Sequence, residues 1–298
     1  GKTFVYPPLL GLSVQGGIGT AEEDQFLHVY YDIVSTGWGT PFLLVPEATT
    51  VDDATLALLC KAKKEDVVLS NNSPLGVKFY YLKGTSSAIE KQQRIKTGKP
   101  GSPCTEKHLA FNTEFTEEPI CTASRKYQQL KIAQLQSLAL PELEYQQQLT
   151  QVTDKECLCV GLSNAAAINY EKTFVKNLHA VNICPGPNIA YFSQVVSLQT
   201  MTDHIYGRAN IMEDMSRPNM FIAELSLYIN FLKDQLDSET AFGLDPKRVK
   251  YFTDFFKNLL AGIDYYKNLP AVTIGNQPIF IQSLAAAEKS LNAMSQQF

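Results

Sequence analysis

The sequence predicts an α/β fold in which βα units are followed by a mainly helical, cysteine-containing lobe. Three observations point to it. Residues 9–50 read as strand, glycine turn, helix, strand, second glycine turn and second helix. Residues 220–236, 246–267 and 279–294 carry apolar side chains at three-to-four spacing, the period of helices with one buried face. Between them, Cys104, Cys121, Cys157, Cys159 and Cys184 occupy the middle third, several beside proline or glycine.

The elements follow in order. Leu9, Leu10, Leu12 and Val14 form an apolar run that stops at Gly16-Gly17. Gly19-Thr20 then opens a helix with Phe26, Leu27 and Tyr30 at helical spacing, and Thr20 with Glu23 forms a capping-box pattern. A second run, Ile33 to Thr36, ends in Gly37-Trp38-Gly39-Thr40. Paired glycines at strand ends leave bare backbone N–H groups at helix starts, an arrangement that holds phosphate without a dedicated lysine. The alternative is that these glycines only make tight turns.

Thr50 is the expected cap of a helix from Val51 to Lys64, with a short strand following at Val67 to Leu69. Asn71 to Gly76 is turn chemistry, Val77 to Leu82 alternates like a strand, and Ser86 to Lys96 reads as a polar helix. Lys91, Arg94 and Lys96 are expected on its solvated face. Thr97 to Pro103 reads as the boundary between a domain of residues 1–96 and a lobe of residues 97–298. Asn112 to Pro119 is expected as a loop or hairpin, Ser124 to Leu138 as a helix, and Cys157 to Leu162 and Val181 to Cys184 as buried strands. Asp245-Pro246 is a helix start, a cap followed by proline in the first turn.

Composition narrows the classes. With 298 residues, 45% hydrophobic and 19% charged, the chain can bury a substantial core. A net charge of −4 and the lack of a basic stripe argue against a nucleic-acid partner. No apolar run is long enough for a membrane span, no secretion leader is visible, and the irregularly spaced cysteines do not resemble a disulfide scaffold. A reducing, cytoplasmic setting is expected. The start at Gly1-Lys2-Thr3 suggests a tag remnant or a piece of something longer.

On the residues just described, the segment from Leu9 to about Arg94 resembles the end of an FMN-dependent (β/α)8 barrel. It is most similar to the nitronate monooxygenase group and its enoyl reductase relatives in polyunsaturated fatty acid synthase gene clusters. The matching motifs are Gly16-Gly17-Ile18-Gly19-Thr20, Gly37-Trp38-Gly39-Thr40, and Leu75 to Gly84. The resemblance implies partial TIM-barrel-like βα units and an oxidoreductase whose FMN phosphate is bound by Gly16, Gly17, Gly19, Thr20, Gly37, Gly39 and Thr40. It covers under a third of the chain. Six preceding βα units, roughly 25 to 30 residues each, are absent. The chain would then be a fragment whose barrel lies upstream or a subunit completed by a partner, and a homo-oligomer is left open. The family's histidine base lies on an earlier strand, so no catalytic residue is carried over, and the small-molecule substrate is not specified.

Four cysteines converging on zinc or an iron–sulfur cluster are the second candidate site, with Cys104, Cys121, Cys159 and Cys184 the first choice. A strand at Cys157-Leu158-Cys159 would turn its two thiols to opposite faces, so only one could join. The alternative is that the cysteines are simply buried. His108, near Cys104, is the histidine kept as a candidate, while His28, His179 and His204 are expected to be surface or satisfied structural residues. Glu114, Glu117 and Glu118 are read as a solvated acidic loop. Beside an FMN-linked oxidoreductase stands a second function, a noncatalytic helical interaction domain with structural glycine turns.

Overall fold

The computed structural model describes residues 6, 9–171, 179–212, 216–240, 245–270 and 277–295. In chain order its elements are β1 (Ser13–Gln15), α1 (Ala21–Tyr31), β2 (Ser35–Gly37), α2 (Asp53–Lys61), β3 (Val67–Ser70), β4 (Phe79–Leu82) and α3 (Ser86–Lys96). There follow α4 (Arg125–Ser137), α5 (Glu142–Thr153), α6 (Leu158–Asn169), α7 (Leu198–Ile205), α8 (Met220–Thr240), α9 (Pro246–Lys267) and α10 (Gln277–Ser295). The fold is mixed α/β with helix predominating. Its strands form two separate pairs, β1–β2 parallel and β3–β4 antiparallel, and no closed barrel is present among the described residues. No helix among them is long and apolar enough to cross a membrane.

Packing divides the chain into two compact units, and the division differs from one at residues 96/97. The first comprises Gly1–Trp38, Thr202–Asn210 and Asp214–Phe298; the second comprises Gly39–Met201 and Ile211–Glu213. Thr97 to Pro103 is therefore internal to the second unit. Its Ser102 takes a hydrogen bond from Arg125 N–H at 3.0 Å and donates its own N–H to Ala123 O at 2.9 Å, which anchors the loop to the start of α4.

In the first unit, α1 begins as its residues dictate. Thr20 Oγ1 accepts from Glu23 N–H at 3.2 Å, acidic Glu22, Glu23 and Asp24 fill the first turn, and Asp32 ends the helix in the left-handed region at φ 51°. Its Phe26 enters a core with Leu232 and Leu236 of α8, Phe252, Phe256 and Ile263 of α9, and Phe280, Leu284 and Leu291 of α10. Burying each such side chain contributes roughly 1.5–3 kcal/mol. α9 starts where Asp245 caps Arg248 N–H at 2.9 Å and Pro246 occupies the first turn. The parallel pair is shorter than the apolar run that precedes it. Leu9, Leu10 and Leu12 are exposed, and β1 starts only at Ser13.

The second unit is built on Leu44, Val51, Leu59, Leu82, Ile183, Ile189 and Phe192. Here α3 keeps its expected bounds, with Thr85 as cap, while α2 starts later than expected because Asp52, not Thr50, accepts from Thr55 N–H at 3.1 Å. The cationic face of α3 is corrected too. Lys91 is only 11% exposed and pairs with buried Glu156 at 3.3 Å, and Arg94 pairs with Glu90 at 3.0 Å. The hairpin at Asn112 closes through two backbone bonds with Ile120, at 3.0 and 2.8 Å.

Neither expected strand of the middle third forms. Residues 158–162 open α6, continued by the helix-favouring run Ala165-Ala166-Ala167. Gly161 does not end a strand. It lets Asn182 approach so closely that a Cβ there would stand 2.5 Å from the Asn182 amide nitrogen. Val181 to Cys184 passes Leu82, Ser87 and Gly161, bonding once to each, so no ladder with a single strand develops.

Candidate functional site

The glycine turn after β1 is the first candidate, and its geometry follows from the strand pair. Gln15 lies opposite Gly37, so both strands end at one level and both turns leave from their carboxyl ends. Gly16 and Gly17 adopt φ 87° and 77°, values that glycine reaches without strain. A Cβ on Gly16 would face open space, while one on Gly17 would meet Met220. The second turn is tied to α1, with Thr36 and the Trp38 indole N–H both donating to Asp24 Oδ1.

Further along, the first turn is closed by the protein itself. Glu23 Oε2 accepts from Gly19 N–H at 2.9 Å, while its Oε1 accepts from Arg217 Nη1 at 2.7 Å and from Met220 N–H at 2.6 Å, at the start of α8. Arg217 Nη2 reaches back to Gly17 O at 2.6 Å. Both side chains of the pair are nearly inaccessible, at 3% for Arg217 and 5% for Glu23. Gly19 has no room for a side chain, since a Cβ would lie 2.6 Å from the guanidinium. His204 supports the same turn from behind, its Nε2–H donating to Gly19 O at 3.0 Å and its ring edge-on to Trp38. Burial holds the ring below its ordinary value of 6.5, and the bond to Gly19 O partly offsets this.

The expected phosphate ligands thus take different roles. Gly16, Gly17 and Gly37 line the strand ends. Gly19 donates to Glu23, and Thr20 caps α1. Gly39 and Thr40 belong to the second unit, where Thr40 Oγ1 accepts from Gly186 N–H at 2.9 Å. Arg217 was missed. Nothing local marks it, because its partner Glu23 lies 194 positions away.

The second candidate is the thiol group of the second unit. Cys157 caps α6 without a side-chain cap bond, Cys159 sits in the first turn, and their sulfurs are 3.9 Å apart. The helix brings together two thiols that a strand would have separated. The hydrogen bond from Cys157 draws the Cys159 pKa down, helped by the charge of His108 and the amide at Val160, against a smaller effect of burial. Cys157 is pushed up correspondingly, first by its bond to the Cys159 thiolate and then by burial. Cys104 and Cys121 lie in the same neighbourhood. Burial, then the charges of Cys104 and Cys159, raise buried Cys121 to about 11. Cys157 lines a water-sized cavity with Ser87, Arg94, Ser102 and Thr105.

Cys104, Cys121 and Cys159 are neighbours of one another and of Cys157, while Cys184 is exposed. Among the described residues no three His, Cys, Asp or Glu side chains are grouped so as to hold a metal ion. Glu114 is not merely a solvated acid. Lys131 and Tyr127 donate to it at 2.7 and 2.8 Å, and the Lys131 bond foremost holds its carboxyl below the ordinary range.

No family model matches the chain, and a comparison with curated proteins gave no match. Among solved structures, the chain is similar to the enoyl reductase domain of MlnA from the macrolactin biosynthesis cluster of Bacillus amyloliquefaciens, at 18% identity and a TM-score of 0.31. The likeness covers 78% of this chain and 51% of that one, so the chain spans about half the length of the structure it matches.

Proposed function

We propose that the chain serves an FMN-linked oxidoreductase, with the flavin phosphate held at the Gly16-Gly17 turn and the Gly37 strand end. The observation that carries this reading is the paired carboxyl ends of β1 and β2, where α/β folds place their ligands, with Gly16 at φ 87° facing open space. The residues fit in part. Gly16, Gly17 and Gly37 would line the phosphate, the Gly16 N–H turning to it from its 3.4 Å bond to Gly37 O, while Gly19, Thr20 and Thr40 serve the fold through the bonds described above. FMN, when bound, supplies electron and hydride transfer through its ring. No metal centre enters this reading.

Titrating FMN into the full chain tests it by quenching of flavin fluorescence. Saturable binding that inorganic phosphate competes away is expected. Gly16→Asp should weaken it at least tenfold and Gly16→Asn less, since Asn and Asp tolerate positive φ comparably and differ in charge. Absence of binding, or equal affinity in Gly16→Asp, overturns it. The Glu23–Arg217 closure favours the second reading, a noncatalytic interaction domain with structural glycine turns, and that reading expects no flavin binding.

A further inference from the structure

We propose that Cys157 and Cys159 are a redox-active dithiol that closes to a disulfide at the N-terminus of α6, with a low-molecular-weight disulfide as its oxidant. The inference does not depend on the flavin reading.

Four observations converge on it. The two sulfurs are 3.9 Å apart, already in contact, and a bond requires only that they approach to about 2.05 Å. Cys157 is the cap residue, outside the regular turns and making no side-chain cap bond, so its sulfur can move without breaking the helix. Both thiols are partly exposed, whereas Cys121 beside them is buried. Cys159 lies in the first turn, where the bond from Cys157 foremost, then the nearby His108 and the amides at Val160 and Cys159, favour its anion over the thiol against the effect of burial. The grouping is a dithiol rather than a metal site, because no three ligating side chains are placed around a common point among the described residues.

The two residues have distinct parts. The Cys159 thiolate attacks one sulfur of the small disulfide. That S–S bond breaks, a mixed disulfide forms on Cys159, and the other half leaves as a thiolate. Cys157 gives its proton to the departing thiolate and attacks Cys159 Sγ, expelling the second half as a thiolate. Two electrons pass from the protein to the reagent, and one protein disulfide replaces one reagent disulfide. Excess dithiol reverses the reaction.

The experiment uses the full chain and oxidised glutathione near neutral pH, followed by iodoacetamide and mass mapping of unreduced tryptic peptides. Both cysteines fall in one tryptic peptide, bounded by Lys155 and Lys172. That peptide should lose the mass of two hydrogens, take up no alkyl group, and recover both thiols after dithiothreitol. Cys157→Ser should trap glutathione on Cys159. Cys159→Ser should slow modification at Cys157 at least tenfold. A Cys159 disulfide to Cys104 or Cys121, a mixed disulfide that persists on Cys159 in the unaltered protein, thiols that stay reduced, or stoichiometric zinc in the purified protein would each overturn the proposal. Far-ultraviolet circular dichroism checks that the variants fold, and if they do not, the disulfide map of the unaltered chain decides by itself.

Discussion

At the start of α1 the backbone amides meet permanent partners. Thr20 caps the helix, and the Glu23 carboxylate takes the Gly19 and Met220 N–H groups while pairing with Arg217. At the start of α6 the corresponding place is held by Cys157 and Cys159, with no side-chain cap. The carboxylate and guanidinium of the first arrangement are both nearly inaccessible and fully engaged with each other and the turn, so it is a fixed lock. A thiol gains and loses its charge, so the second remains open to chemistry. The same helix-terminal field serves structure in one unit and reactivity in the other.

The largest expected effect comes from breaking the lock. Glu23→Ala removes the buried carboxylate that pairs with Arg217 and accepts from Gly19 and Met220, and should cost about 3–5 kcal/mol, read from the urea midpoint of unfolding. Adding Arg217→Met to Glu23→Gln should restore most of what Glu23→Gln alone loses, because the amide oxygen still accepts from Gly19 and the buried cation that lost its carboxylate is gone. A loss below about 1 kcal/mol in Glu23→Ala would show that the pair does not hold the turn.

Next in size is Gly19→Ala. Its Cβ would stand 2.6 Å from the Arg217 guanidinium, and displacing that group should cost about 1–3 kcal/mol. In Gly161→Ala the Asn182 side chain is met at 2.5 Å, so crowding should outweigh the gain of about 1 kcal/mol in helix propensity. Thermal unfolding of the two variants compares how tightly each helix start is packed.

At the thiols the difference should appear as reactivity. Alkylation of Cys159 by iodoacetamide should hold its rate below pH of about 8.5, where that of an ordinary cysteine thiol falls about tenfold per pH unit with its thiolate fraction. Cys157→Ala removes the bond that favours the thiolate and should move the rate profile to higher pH. An unchanged profile would assign the shift to the helix terminus and His108 alone. Because the folded Cys159 pKa is depressed, its contribution to stability is present above the unfolded value and fades as pH falls through the folded one.

The smallest effect belongs to His204, behind the α1 turn. Its folded pKa is lowered, so the unfolded chain binds the proton more readily, and stability present above about 6.5 is lost as pH falls toward the folded value. The slope cannot exceed about 1.4 kcal/mol per pH unit for one proton. His204→Gln, which can still donate to Gly19 O, should flatten the acid limb relative to the unaltered protein in denaturation series between pH 7 and 5.

What could be read in advance was local. The cap at Thr20, the Asp245-Pro246 start and the bounds of α3 and α9 depend on neighbours within one turn, and the residues stand where that chemistry requires them. The α6 segment misled because Leu158, Val160 and Leu162 alternate like a strand over five residues. Periodicity over so short a run does not distinguish the two structures. Gly161 looked like a terminator because its reason for being small, the Asn182 side chain, is distant in sequence. The buried pairing of Lys91 with Glu156 was unreadable for the same reason.

The sequence by itself determined most of the helical segments, α6 excepted, where several of them begin, and that glycines follow both strands of a βα pair. Hydrogen bonds spanning three or four residues and the apolar repeat enforce these features whatever surrounds them. Only tertiary structure decided that Glu23 and Arg217 close the first turn, that α8, α9 and α10 pack with α1, and that Cys157 joins Cys159. Those contacts depend on which buried surfaces meet once the chain has collapsed, and no local spacing encodes that choice.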